Sequence, residues 1–173
     1  MNDIPAIPQA LLDFAAKVAA RPVVPTASDV RTLHVGASDL PWAEAGDGSA
    51  IQLLHVDLNQ GIWISNTRVP PGFSVIKHFH TGQVYAVTHQ GRWFYAETPE
   101  EVNSPGSYLY EPAGSVHTLT TPADQAGDTI VWFAVHGANV NIDGEGNIVS
   151  VLDAQSVLDI YRGYCAALGL DCS

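Results

Sequence analysis

The chain has 173 residues, 46% of them hydrophobic, which suits one domain with a buried core and excludes wholesale disorder. Its 18 acidic residues against 7 Lys plus Arg give a formal net charge of -11, a field that repels phosphate backbones and anionic lipid. Nucleic-acid and membrane-surface roles are disfavoured on that ground, whereas a small anionic substrate is not, because a bound cation reverses the field locally.

In chain order, Pro8 to Ala20 reads as a short helix, with Leu11, Leu12, Ala15, Val18 and Ala19 in one apolar stripe and Arg21-Pro22 ending it. Pro22 to Thr26 has the composition of a linker. The start of the chain lacks the apolar run of a signal peptide, and no stretch approaches the length of a membrane-spanning helix, so a cytoplasmic location is the expectation.

From Arg31 to His136 short runs of Val, Ile, Trp, Tyr and Phe are broken repeatedly by Gly and Pro. The runs predict strands over Ile51–Leu58, Gly61–Val69, Ser74–His80, Gln83–Thr88, Arg92–Ala96, Ser107–Tyr110, Val116–Thr120 and Thr129–His136. Many short strands without intervening helices predict an antiparallel sandwich or barrel. Ile142–Ser150 reads as a hairpin or loop around Asp143-Gly144-Glu145-Gly146. Asp153 to Leu168 reads as an amphipathic helix with Asp153 as N-cap and Val157, Leu158, Tyr161, Cys165 and Leu168 on one face. Residues 1–30 thus form a helix and linker, 31–150 a β-barrel and 151–173 a C-terminal helix, with both helices outside the barrel. Cys165 and Cys172 form no CxxC pair and read as incidental thiols.

The chemistry sits in Gly72-x5-His78-x-His80. Strand side chains alternate, so His78 and His80 project to one face, close enough to donate two nitrogens to one cation. Gly106-x5-Pro112-x-Gly114-x2-His117 adds a strand, a tight Pro/Gly turn and a third histidine. His34, His55, His89 and His136 fit no ligand spacing.

These two segments resemble the paired motifs of the cupin superfamily, which implies a single-domain all-β jelly-roll barrel, a double-stranded antiparallel β-helix, with three imidazoles on one metal. The pattern departs where a cupin usually carries a glutamate: Val84 and Tyr85 occupy those positions, and Thr121 stands where an Asn is expected. Three neutral nitrogens without a carboxylate are the expectation, leaving a full positive charge and open positions for a chelating enolate. In finer detail, His78 to Val84, Gly91 to Tyr95, Gly106 to Leu119 and the upstream Leu40-Pro41-Trp42 resemble the 2,4'-dihydroxyacetophenone dioxygenases, and more distantly the acetylacetone dioxygenases. That resemblance implies Fe(II), dioxygen, oxidative cleavage of a carbon–carbon bond in a small ketone, and a homodimer or homotetramer. Imidazole alone does not choose the metal, so Zn or Ni in an isolated sample also fits.

Gln83 and Glu97 are candidates for a base or a partner to the ligand histidines, while Glu111, just before the Pro112 turn, reads as structural. Tyr85, Trp93, Tyr95 and Tyr108, with Arg92, are the expected substrate pocket. The rival readings are a zinc-bound sensor or binding protein and a metal-dependent isomerase or lyase that uses no oxygen.

Overall fold

A computed structural model describes Gln9 and residues 32–172. The chain divides into two compact units, 1–34 and 35–173. The helix expected over 8–20 and the linker after it lie outside the described residues, Gln9 apart.

Among the described residues, the second unit contains twelve strands and one helix. The strands are β1 (Ala43–Glu44), β2 (Ala50–Asp57), β3 (Ile62–Val69), β4 (His78–His80), β5 (Val84–Gln90) and β6 (Trp93–Tyr95). They continue with β7 (Thr98–Asn103), β8 (Tyr108–Glu111), β9 (Leu119–Thr120), β10 (Thr129–His136), β11 (Asn139–Ile142) and β12 (Ile148–Leu152), and helix α1 (Ala154–Leu168) succeeds them.

These strands pair antiparallel throughout. One sheet has the order β1-β2-β3-β10-β5-β8, and two three-stranded sheets have the orders β12-β11-β4 and β7-β6-β9. The bridges His78↔His117 and Ser74↔Thr120 tie the two small sheets together. Alternation then decides what faces inward. Val135, Phe133 and Val131 of β10 lie opposite Val84, Ala86 and Thr88 of β5, and this row faces the interior. The expected all-β barrel is the architecture found.

Two strands escape the pattern reading. β1 has two residues, and β7 carries Pro99, Glu100 and Glu101 on an exposed edge. Proline and charge are what an edge strand uses to discourage pairing with another chain, and they erase the apolar signal that marks a strand. Of the expected Ser74–His80 strand, only His78–His80 is regular; Ser74 contributes an isolated bridge.

Helix α1 is capped as its sequence requires. The Asp153 side chain accepts from the Ser156 amide at 2.8 Å while the Ser156 hydroxyl accepts from the Asp153 amide at 2.7 Å. Ala154, Val157, Tyr161 and Cys165 form its buried stripe, and the Tyr161 hydroxyl donates to the Pro41 carbonyl at 2.8 Å. Leu168, on the same stripe in the last turn, is 49% exposed. The thiol expectation is corrected: Gly169 ends the helix in the left-handed region at φ 68°, the chain doubles back, and Cys172 is disulfide-bonded to Cys165. No helix among the described residues is long and apolar enough to cross a membrane.

Candidate metal centre

The strand register brings the three histidines together. His78 and His117 are directly paired, each amide donating to the other's carbonyl at 3.0 and 2.9 Å. Shortly before His117 lies the Pro112–Gly114 turn, where Gly114 sits at φ 84° and its amide donates to the His80 carbonyl at 2.8 Å. Beyond His80 the chain turns tightly against His136, and a Cβ at Gly82 would come within 2.5 Å of the His136 carbonyl oxygen. Only glycine lets the end of β4 pass there.

One ligand atom from each of His78, His80 and His117 lies within 4.8 Å of the others. The His78 Nδ1 is 2.7 Å from the Ile76 carbonyl, which fixes the proton on Nδ1 and leaves Nε2 as a lone-pair donor. Burial holds all three imidazoles below the ordinary histidine value, His80 at about 3 and His117 at about 4. They are therefore neutral donors at pH 7.

The structure corrects the expectation of three neutral ligands with no carboxylate beside them. The Glu111 Oε2 lies 3.3 Å from the Nε2 of His80 and 3.3 Å from that of His117. Val84 occupies the usual carboxylate position, and its cross-strand partner is Glu111. The acid has thus moved one strand sideways while still pointing inward. Glu111 is 4% exposed, and burial pushes its carboxyl up to about 7. Its Oε1 accepts a short hydrogen bond from the Tyr95 hydroxyl. Tyr95 stacks on the His117 ring at 4.3 Å between centroids, and burial, then the neighbouring Glu111 charge, keeps it a phenol.

The donor set fits a divalent cation. Glu111 Oε2 and His117 Nε2 are both buried without a hydrogen-bond partner, although they are 3.3 Å apart. Two such groups left unsatisfied cost several kcal/mol, roughly 1–3 each, unless something between them accepts their lone pairs. A cation does so for both at once.

The histidines open into an interior cavity of about 430 Å3. Its walls are mainly apolar, with Trp63, Val69, Phe73, Val75, Val131 and Phe133 among them. Polar groups enter from β11, where Asn139 and Asn141 stand opposite His80 and His78. The Asn139 amide donates to the Asn141 side chain at 2.9 Å, and that amide donates to the Ser150 hydroxyl at 2.9 Å.

Of the residues expected to line the pocket, Tyr95 does so. Trp93 is 0% exposed in the core, its indole donating to the Thr88 hydroxyl at 2.8 Å. Tyr85 faces the other side of its sheet beside Tyr110, Tyr108 is 65% exposed, and Arg92 pairs with Asp124 at 3.3 Å on the surface. Gln83 lies in the turn before β5, with its carbonyl accepting from the His136 amide. Glu97 accepts from the Thr118 amide and hydroxyl at 2.8 and 3.1 Å and lies 3.9 Å from the Lys77 ammonium.

A jelly-roll barrel with three histidines at one end of an inner cavity defines a cupin. The chain belongs to the ChrR Cupin-like domain family, whose model matches residues 30–139. A cupin-fold protein of unknown function from Ralstonia eutropha JMP134 is 32% identical, covering 84% of this chain and 91% of that one, with a TM-score of 0.77. An RmlC-like cupin from the same organism is 28% identical over 83% of this chain and 93% of that one, also at 0.77. An acetylacetone dioxygenase from Acinetobacter johnsonii shares the fold at 17% identity and a TM-score of 0.67, over 83% of this chain and 99% of that one. No curated protein matches the sequence.

Proposed function

We propose that the protein is a non-haem iron dioxygenase that cleaves a carbon–carbon bond of a small hydroxyketone or β-diketone. The observation that carries this reading is the three-histidine cluster opening directly into a mainly apolar cavity. A site that only stored or sensed a cation has no use for such a space. The likeness of His78 to Val84 and Gly106 to Leu119 to the 2,4'-dihydroxyacetophenone dioxygenases supports an aryl hydroxyketone as substrate.

His78, His80 and His117 hold the metal, with Glu111 Oε2 beside two of them. Divalent iron bound there supplies a Lewis acid and an electron donor toward dioxygen. The protein's own residues do the rest. The apolar walls exclude water and grip the hydrocarbon part of the ketone, while Asn139 and Asn141 offer hydrogen bonds to its oxygens. Glu111 Oε2, buried beside the histidines without a hydrogen-bond partner, is placed to accept the proton that a ketone loses on becoming an enolate. The Tyr95 hydroxyl holds the other carboxylate oxygen and fixes its direction.

A carboxylate beside the imidazoles also suits zinc, which favours a binding module as the second reading. Anaerobic reconstitution with Fe(II) or Zn(II), followed by dioxygen uptake with a panel of aryl 2-hydroxyketones and 1,3-diketones, separates the two. Uptake in the iron form, with cleavage products in equal amount, is expected. Absence of uptake with every ketone overturns the dioxygenase, and turnover without uptake replaces it with an isomerase or lyase.

A further inference from the structure

Tyr95, Glu111 and His117 line two spaces. On one side is the inner cavity, and on the other a surface groove of about 910 Å3 beside β7 and β8. The groove also carries Glu97, Glu100 and Glu101. A wall of three side chains therefore separates the histidine cluster from an acidic trough open to solvent.

We propose that this groove is the loading path for a divalent cation, with Glu100 and Glu101 gathering the hydrated ion and Glu111 receiving it at the wall. The proposal rests on the reading that the three histidines hold a metal. Several observations support it. Glu100 and Glu101 are exposed and take part in none of the salt bridges among the described residues. Lys77, 3.9 Å from Glu97, is the basic group facing this set. Glu111 and His117, each 4% exposed, present a buried oxygen and nitrogen that have no hydrogen-bond partner. The inner cavity, by contrast, offers a hydrated dication a mainly apolar surface, with Asp47 its one acid besides Glu111, and shedding water against such walls is costly. Carboxylates along a concave path raise the local cation concentration and the rate of encounter. Each space then has its own visitor, an ion from the groove and an organic molecule in the cavity.

The test monitors Co(II) uptake by the metal-free full chain in a stopped-flow instrument, at ionic strengths of about 0.01 M and about 1 M, where the screening length is roughly 30 and 3 Å. The E100Q/E101Q variant is compared with wild type and with an E145Q/D159N variant that removes equal charge elsewhere. Uptake by E100Q/E101Q should be at least about threefold slower at low ionic strength, converge with wild type at high ionic strength, and reach the same final cobalt content. The E145Q/D159N variant should load at the wild-type rate. Equal rates for E100Q/E101Q and wild type at low ionic strength overturn the loading path, as does equal slowing in both variants. Wild-type protein that retains no cobalt at equilibrium overturns the metal reading itself, a result distinct from a difference in rate.

Discussion

Replacing Glu111 with Gln separates the two things its carboxylate does. In the metal-free protein a carboxyl moved from 4.5 to about 7 is a buried anion at pH 8 that destabilises the fold by about 3 kcal/mol. Glutamine keeps the shape and can still accept from Tyr95 while removing that charge. In chelator, E111Q should therefore unfold at higher temperature than wild type. A gain of about 1–3 kcal/mol corresponds to several degrees for a chain of this size. With a cation present the same charge becomes favourable, so the variant should bind Zn(II) about tenfold or more weakly in a chelator-competition titration. Scanning calorimetry at pH 8 with and without zinc reads the stability change in each state, and the titration reads the affinity. A lower melting temperature in chelator together with unchanged zinc affinity would refute the placement of this carboxylate at the metal.

Single replacement of His78, His80 or His117 by Ala should leave the purified protein with little bound metal by elemental analysis after equilibration at limiting Fe(II). Acidification should destabilise the metal-free protein. His80 and His117 have folded values of about 3 and 4, well below the unfolded 6.5, so stability present above pH 6.5 is lost as the pH falls. Glu111, raised to about 7, acts in the opposite sense between pH 4.5 and 7 and offsets one of the two histidines. The net loss between pH 6.5 and 4.5 is about 3 kcal/mol, read as a falling urea midpoint; a flat midpoint over that range contradicts the burial of the histidines. Asp153→Ala removes the side-chain cap of α1 while the residue-153 amide keeps its bond to the Ser156 hydroxyl, and should cost about 1 kcal/mol without altering metal content.

What the residues reveal on their own depends on whether the signal is local. Thr129–His136 is found as expected because its apolar run and flanking turns are all within the strand. The hairpin around Asp143 and the Asp153 cap are local for the same reason. The histidines converge because two spacings and one Pro/Gly turn fix them. Glu111 reads as structural from sequence because its role is set by cross-strand register. Nothing within Tyr110-Glu111-Pro112 says that Val84 lies opposite, although the absent acid at 84 is a reason to look to the neighbouring strand. The aromatic residues mislead for another reason. Alternation assigns Tyr85 and Tyr108 a face but not which face is the interior, and the structure puts both outside. The Cys165–Cys172 pairing depends on the reversal at Gly169, which thiol spacing does not reveal.

The most direct measurement is anomalous diffraction from crystals of the anaerobic Fe(II)-loaded protein. One iron peak is expected, bonded to the rings of His78, His80 and His117 with Glu111 beside it. A peak elsewhere, or none at full iron loading, contradicts the account.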